Sequence, residues 1–305
     1  MQQLEHEWLS YPVIHLDISK GKFYDMASLQ ATLDSLLADY EARYSLHVEY
    51  EKAYNVRLQN IIKAAYAQTG REVVVLVDEY DAPMHDSMKS PDLQEQIRNA
   101  MRNLFSPLKG EERHLRFVFL TGISKFSQLS IFSELNNITN ISMLDKYSDI
   151  CGISRNELVS IFKADIRELA NENEMTYDEA LSELQHHYDG YHFSGRGEDV
   201  YNPYSLFNTL ASNEFDDYWF STGTPTFLID LLQEKHLDML DLDDITATAD
   251  RFDTPTEKII DPVPVLYQSG YLTIKAYNPR SKIFKLGFPN TEVKTGFSNS
   301  LFRYY

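Results

Sequence analysis

An α/β fold built on a parallel sheet is predicted by three features of the sequence. Short, mostly apolar runs recur at Pro12–Ile18, Val73–Val77 and Leu115–Leu120, the second with four valines in five residues, at lengths typical of strands. Amphipathic stretches of helical period lie between them, the alternation that produces parallel sheets. The runs end in polar tips, Asp17, Asp78-Glu79 and Thr121-Gly122, and the carboxyl edge of such a sheet is where ligands bind.

Residues 1–10 read as a polar, partly helical lead-in to the strand Pro12–Ile18. Two helices follow. Leu29, Leu33, Leu36, Leu37 and Tyr40 form the apolar stripe of the first, and Leu58, Ile61, Ile62 and Ala65 that of the second. Gly70 stops the second helix, because a residue without Cβ adopts the left-handed cap freely. Val73–Val77 reads as a strand buried on both faces. Ser90 offers a helix N-cap before Pro91, and Leu93, Ile97, Ala100, Met101, Leu104 and Phe105 supply that helix's buried face. After a charged turn comes the strand Leu115–Leu120, with Ile138–Met143 a further strand candidate of poorer pattern.

From about Ile150 the character changes. Ser154 with Glu157 and Thr176 with Glu179 are capping boxes. Leu158, Ile161, Phe162 and Leu169 follow the first at helical spacing, and the second opens a helix through Leu184. A Gly- and Tyr-rich loop spans 188–197, and Tyr204–Leu210 and Phe227–Leu232 read as helices. Gly270–Leu286 reads as a β-hairpin turning at Asn278-Pro279.

A chain of 305 residues with 43% hydrophobic content is long enough for one large or two ordinary globular domains. A net charge of −18 argues against a broad nucleic-acid-binding face, which needs clustered Lys and Arg. Cys151, the single cysteine, forms no intramolecular disulfide and shows no metal-site spacing. With no signal-peptide pattern and no long apolar run, a cytoplasmic location without membrane insertion is expected.

The run Val73–Val77 followed by Asp78-Glu79 resembles the Walker B element of P-loop ATPases. There the aspartate holds Mg2+ and the glutamate aligns or polarises the attacking water. A carboxylate suits the first role because Mg2+ is a hard cation that prefers oxygen and shares its charge with phosphates. An ordinary polar turn, Tyr80-Asp81-Ala82-Pro83, is the competing account.

Longer matches carry a wider resemblance. YPVIHLDIS at 11–19, VVVLVDEYDAP at 73–83, FVFLTGISKFS at 117–127, YDGYHFSG at 188–195, VYNPYSLFNTL at 200–210, YWFSTGTPTFL at 218–228, LYQSGYLTIKAYN at 266–278 and LGFPNTEVKTGF at 286–297 stand in the order of one family. The chain resembles the bacterial AAA-ATPase-like proteins, whose longer members carry a C-terminal PD-(D/E)XK nuclease-like domain. The resemblance implies Mg2+ and ATP as ligands. Asp78 would bind the metal, Glu79 would act on water, Thr121 would sense the γ-phosphate, and Lys125 would lie within reach of phosphate. Family members begin with a P-loop, yet no G-x-x-x-x-G-K-S/T occurs in these residues. The resemblance therefore implies a middle portion lacking the P-loop and the nuclease domain, and inactive alone. Residues 1–149 are expected to form an incomplete P-loop NTPase-type parallel sheet. Residues 150–305 are expected to form a helical lid and a small winged-helix-like module.

Other groups have plainer readings. His15 and Asp17 suit packing and strand termination. His186, His187, His192 and Asp189 do not have the pattern of a metal cluster. Asp238, Asp241, Asp243 and Asp244 suit a solvated helix end, and Glu292-Val293-Lys294 a connector. The alternative function is a catalytically silent regulatory module that binds a protein partner or a second copy. A DNA-processing role would need the nuclease domain.

Overall fold

A computed structural model describes residues 8–48, 50, 52–88, 90–123, 137–221, 242–253 and 261–302. The chain divides into two compact units, Met1–Thr139 with Pro255–Lys258, and Asn140–Thr254 with Ile259–Tyr305.

The first unit is α/β. Strands β1 (Val13–Asp17), β2 (Val73–Asp78) and β3 (Leu115–Leu120) form a parallel sheet in that order. Helices α1 (Met26–Arg43) and α2 (Tyr54–Thr69) connect the first pair; α3 (Ala82–Asp86), α4 (Pro91–Phe105) and α5 (Pro107–Gly110) lie between the second pair. Local chemistry fixes several ends. Asp25 and Ser28 form a capping box at the start of α1, and Gly70 closes α2 at φ 65°. Pro91 occupies the first position of α4, but the Ser90 side chain makes no capping bond.

The register Ile14↔Val75↔Val118 and Leu16↔Val77↔Leu120 defines the face that packs with the apolar stripes of α1, α2 and α4. The opposite face carries Val13, Val74 and Phe117 in one row and His15, Leu76 and Phe119 in the next. That row is not fully covered: Val74 and Leu76 are half-buried, and Phe117 is 52% exposed. The expectation of a doubly buried β2 is therefore corrected. The strand alternates, because apolar composition sets what a face can bury but not whether another element lies over it.

The two sheet edges differ. At β1, the Tyr40 hydroxyl of α1 accepts the His15 backbone N–H at 2.7 Å and donates to the His15 carbonyl at 3.0 Å, satisfying edge groups that a neighbouring strand would otherwise pair. The outer edge of β3 pairs with no strand among the described residues. An ion-pair cluster ties α1 to α2. Arg57, 1% exposed, makes a two-pronged contact with Glu41 at 2.9 Å and 2.9 Å and a further contact with Asp34.

In the second unit, β4 (Ile153–Ser154) pairs antiparallel with β5 (Val200–Tyr201). Helices α6 (Arg155–Ile161), α7 (Lys163–Glu172), α8 (Tyr177–Tyr188) and α9 (Pro203–Ser212) share a core around Leu158, Leu184 and Tyr188. Both predicted capping boxes are present. The helical spacing after Ser154 is interrupted at Phe162, which leaves Ile161 65% exposed. Strands β6 (Ile245–Thr248), β7 (Thr273–Asn278) and β8 (Ile283–Gly287) form an antiparallel sheet in the order β6-β8-β7. The expected hairpin is its β7–β8 part, with Asn278 Oδ1 accepting the Arg280 and Ser281 N–H groups in the turn. Helices α10 (Tyr218–Ser221), α11 (Ala249–Phe252), α12 (Val263–Gln268) and α13 (Thr291–Phe302) complete the described elements.

Residues 138–143 form no strand. Asn140 Oδ1 accepts the Ser142 N–H at 3.0 Å, and the Leu144 N–H bonds back to Ile141, so side-chain turn chemistry outcompetes extension. The expected helix Phe227–Leu232 lies outside the described residues.

Candidate functional site

The parallel sheet brings polar tips together at its carboxyl edge. Asp17 is registered opposite Asp78. On the other side the ladder continues past the strand: the Thr121 N–H donates to the Val77 carbonyl at 2.8 Å, and the Tyr80 N–H donates to the Thr121 carbonyl at 3.0 Å. This places the Thr121 hydroxyl 2.6 Å from Asp78 Oδ1, to which it donates. Asp78 itself is exposed and open to a ligand.

Glu79 follows at φ 53°. A non-glycine residue in the left-handed region costs about 1–3 kcal/mol and persists where surrounding structure enforces it. Here the enforcing structure is the reversal from β2 into α3. The Glu79 carboxyl is held above the usual carboxylate range, first by burial and then by the nearby charges of Asp81 and Asp78. Asp17 adds to the same field. It also accepts the Ser19 N–H at 3.1 Å and the Ser19 hydroxyl at 2.7 Å, ending β1 in a short turn as the sequence suggests. Several carboxylates thus crowd one edge, and a bound cation would relieve that crowding.

The structure brings together Asp78, Glu79 and Thr121 of the predicted set. Lys125 lies outside the described residues. Two residues of the same turn were not singled out by sequence: Asp81, which is wholly buried, and His85, whose Nε2 lies 2.9 Å from Asp81 Oδ2. The only available signal was a second aspartate four residues before a histidine, which is common in turns.

Among the described residues no group of three His, Cys, Asp or Glu side chains is placed to hold a metal ion. Mg2+ needs no such cluster of side chains, being commonly held by one or two carboxylates together with water and phosphate oxygens. Asp78 is an exposed carboxylate at this edge. The sequence has no G-x-x-x-x-G-K-S/T to furnish the backbone N–H cradle that usually holds nucleotide phosphates.

The remaining candidates lie in the second unit. His192 Nδ1 pairs with Asp199 at 2.7 Å, and His187 Nδ1 is 3.0 Å from the Glu183 carbonyl. Lys285 meets Asp244 at 3.0 Å, and Lys294 meets Asp243. Asp238 and Asp241 lie outside the described residues. Glu292 corrects its reading as part of a connector: it sits in the first turn of α13 and is 0% exposed. Its Oε1 accepts the Ser205 hydroxyl at 2.9 Å and the Trp219 N–H at 2.7 Å. Burial raises its pKa to about 7.

Residues 1–132 match the model of an AAA-ATPase-like family described as predicted AAA-ATPase. That stretch contains Asp17, Asp78, Glu79, Asp81, Thr121 and Lys125. The chain is also similar to an "Uncharacterized protein in vnfD 5'region" of Azotobacter chroococcum mcd 1, with 34% identity over 300 residues. The match covers 97% of this chain and 55% of that protein, so the chain spans about half the length of this relative. Similarity to a predicted AAA-ATPase family is similarity to nucleotide-binding proteins in general. No helix among the described residues is long and apolar enough to cross a membrane.

Proposed function

We propose that the carboxyl edge of the parallel sheet is the metal-and-water half of a Mg2+-dependent ATP-hydrolysing centre. The observation that carries this reading is the convergence of Asp78, Glu79 and Thr121 at one sheet edge. When bound, Mg2+ neutralises phosphate charge and holds the phosphates for in-line attack. Asp78 holds the metal. Glu79, next to Asp78 in the chain, orients a water and takes its proton. Thr121 turns its hydroxyl from Asp78 to the γ-phosphate or the water.

These residues contain no G-x-x-x-x-G-K-S/T loop, so in this reading other groups hold the phosphates. Residues 150–305 act as a helical lid followed by a winged-helix-like module, a reading supported by the β6-β8-β7 sheet and its hairpin. The protein works in the cytoplasm. Asp78→Ala tests the metal role in the protein as its gene encodes it. Mg2+-dependent ATP binding should weaken at least about tenfold, as loss of a metal-ligating carboxylate does. Unchanged binding would remove Asp78 from the site.

A second reading is favoured by one observation, the apolar sheet face around Phe117 and Phe119. In that reading the chain is a catalytically silent regulatory module that uses this face for a protein partner or a second copy. It predicts no ATP turnover by the encoded protein, and a nuclease-linked DNA-processing role would reside in a further domain.

A further inference from the structure

We infer that buried Asp81 and half-buried His85 form a positioning pair that fixes Thr121 against Asp78 by fastening the chain where it leaves β3. The inference rests on the proposed ATP-hydrolysing reading, and gives these two residues a part in it without contact with the reacting atoms.

Asp81 occupies the N-cap position of α3, where an aspartate ordinarily accepts N–H groups of its own helix. Its side chain makes no such bond. It is turned inward, 0% exposed, with Oδ2 at 2.9 Å from His85 Nε2 and Oδ1 accepting the Ile123 backbone N–H at 3.3 Å. A buried carboxylate is costly unless its oxygens are paired, so forgoing the local cap requires partners elsewhere, and it finds one in the chain after β3. The intervening Gly122 passes close by. A Cβ there would lie 2.4 Å from Asp81 Oδ1 and 2.8 Å from the Tyr80 ring, so a side chain would displace one or both.

The turn therefore grips residues 121–123 at both ends. The Tyr80 N–H holds the Thr121 carbonyl at 3.0 Å, and Asp81 holds the Ile123 N–H. The Thr121 hydroxyl, 2.6 Å from Asp78, is carried by the residue at the start of this fastened stretch, whose own N–H is held by the Val77 carbonyl. His85 reaches back from the last turn of α3 to complete the pairing of Asp81. The helix begins at Ala82, whose N–H donates to the carbonyl of the strained Glu79 at 3.0 Å, so the same pair also braces the residue proposed to act on water. Misplacement of such groups by about 1 Å lowers turnover about a hundredfold while binding contacts elsewhere persist.

The test combines kinetics with amide exchange on the protein as its gene encodes it. Asp81→Asn keeps the shape and loses the charge. His85→Ala removes the partner, and His85→Gln restores a donor to Asp81. For Asp81→Asn and His85→Ala, kcat should fall at least about tenfold with KM for Mg-ATP within about twofold, the signature of an interaction used in the transition state. His85→Gln should recover most of that loss. Exchange at the Ile123 amide should accelerate about tenfold in His85→Ala, whereas Asp81→Asn retains an acceptor for that amide. If the unsubstituted protein turns over no ATP, the proposed function fails, and the exchange result alone decides whether the pair fastens Ile123. Unchanged exchange in His85→Ala, or loss of activity in His85→Gln equal to that in His85→Ala, would overturn the positioning role. Should Asp81→Asn not fold, the His85 pair of variants carries the same decision.

Discussion

Glu292→Gln should flatten the pH dependence of stability in the second unit. The carboxyl is wholly buried between α9, α10 and α13, and burial is the first cause of its rise from an ordinary 4.5 to about 7. Hydrogen bonds from the Ser205 hydroxyl and the Trp219 and Phe220 N–H groups oppose the rise, and the charge of Asp217 adds to it. The sign follows from which state holds the proton. Below about pH 4.5 the group is protonated folded and unfolded. As pH rises toward 7 the unfolded chain releases its proton first, so stability falls through that window and the loss is complete above 7. A rise of that size corresponds to about 3 kcal/mol. Gln cannot titrate, and its carbonyl can still accept from Ser205 and Trp219. Urea unfolding read by Trp219 fluorescence, in a Trp8→Phe background, measures the local stability at pH 5 and pH 8. The parent should lose about 2.5 kcal/mol more than Glu292→Gln between these values, part of the loss having occurred already by pH 5. Equal losses in the two proteins would refute the assignment.

Three further outcomes test the packing of the first unit. Arg57→Ala leaves Glu41 buried without its partner and should cost about 3–5 kcal/mol in denaturant titration; a loss below about 1 kcal/mol would show that the cluster is not desolvated. Tyr40→Phe removes the hydroxyl that bridges both backbone groups of His15, and should cost about 1–2 kcal/mol. Faster amide exchange at His15 would accompany that loss, and unchanged exchange would contradict the bridge. Glu79→Gly relieves the φ 53° conformation and should raise stability by about 1 kcal/mol as it abolishes turnover. A destabilised variant would mean that Glu79 contributes contacts outweighing its strain.

What the sequence makes legible follows from the range of each interaction. Ser154 with Glu157, Thr176 with Glu179, and Gly70 act within one helical turn, and each does what its spacing implies. The three strand runs are likewise local, and their polar tips meet because parallel register aligns strand ends. Burial is decided at longer range. Val74 and Leu76 have the composition of doubly buried residues, yet one sheet face lies partly open. Arg57 reads as an ordinary polar position on an amphipathic helix, and only the packing of α1 beside it supplies Glu41 and Asp34. Glu292 resembles part of a charged connector until Ser205 and Trp219, distant in sequence, close over it. Asp81 is hidden for the same reason, since its partner Ile123 lies on the far side of β3.

The most direct test of the hydrolytic centre is Glu79→Gln in the protein as its gene encodes it, with ATP binding and steady-state turnover measured side by side. Gln keeps the size of the side chain and removes its ability to take a proton. Binding should persist while turnover falls at least about a hundredfold, the loss typical of removing a general base. Turnover unaffected by the substitution, or absent from the unsubstituted protein, would contradict a catalytic role for this sheet edge.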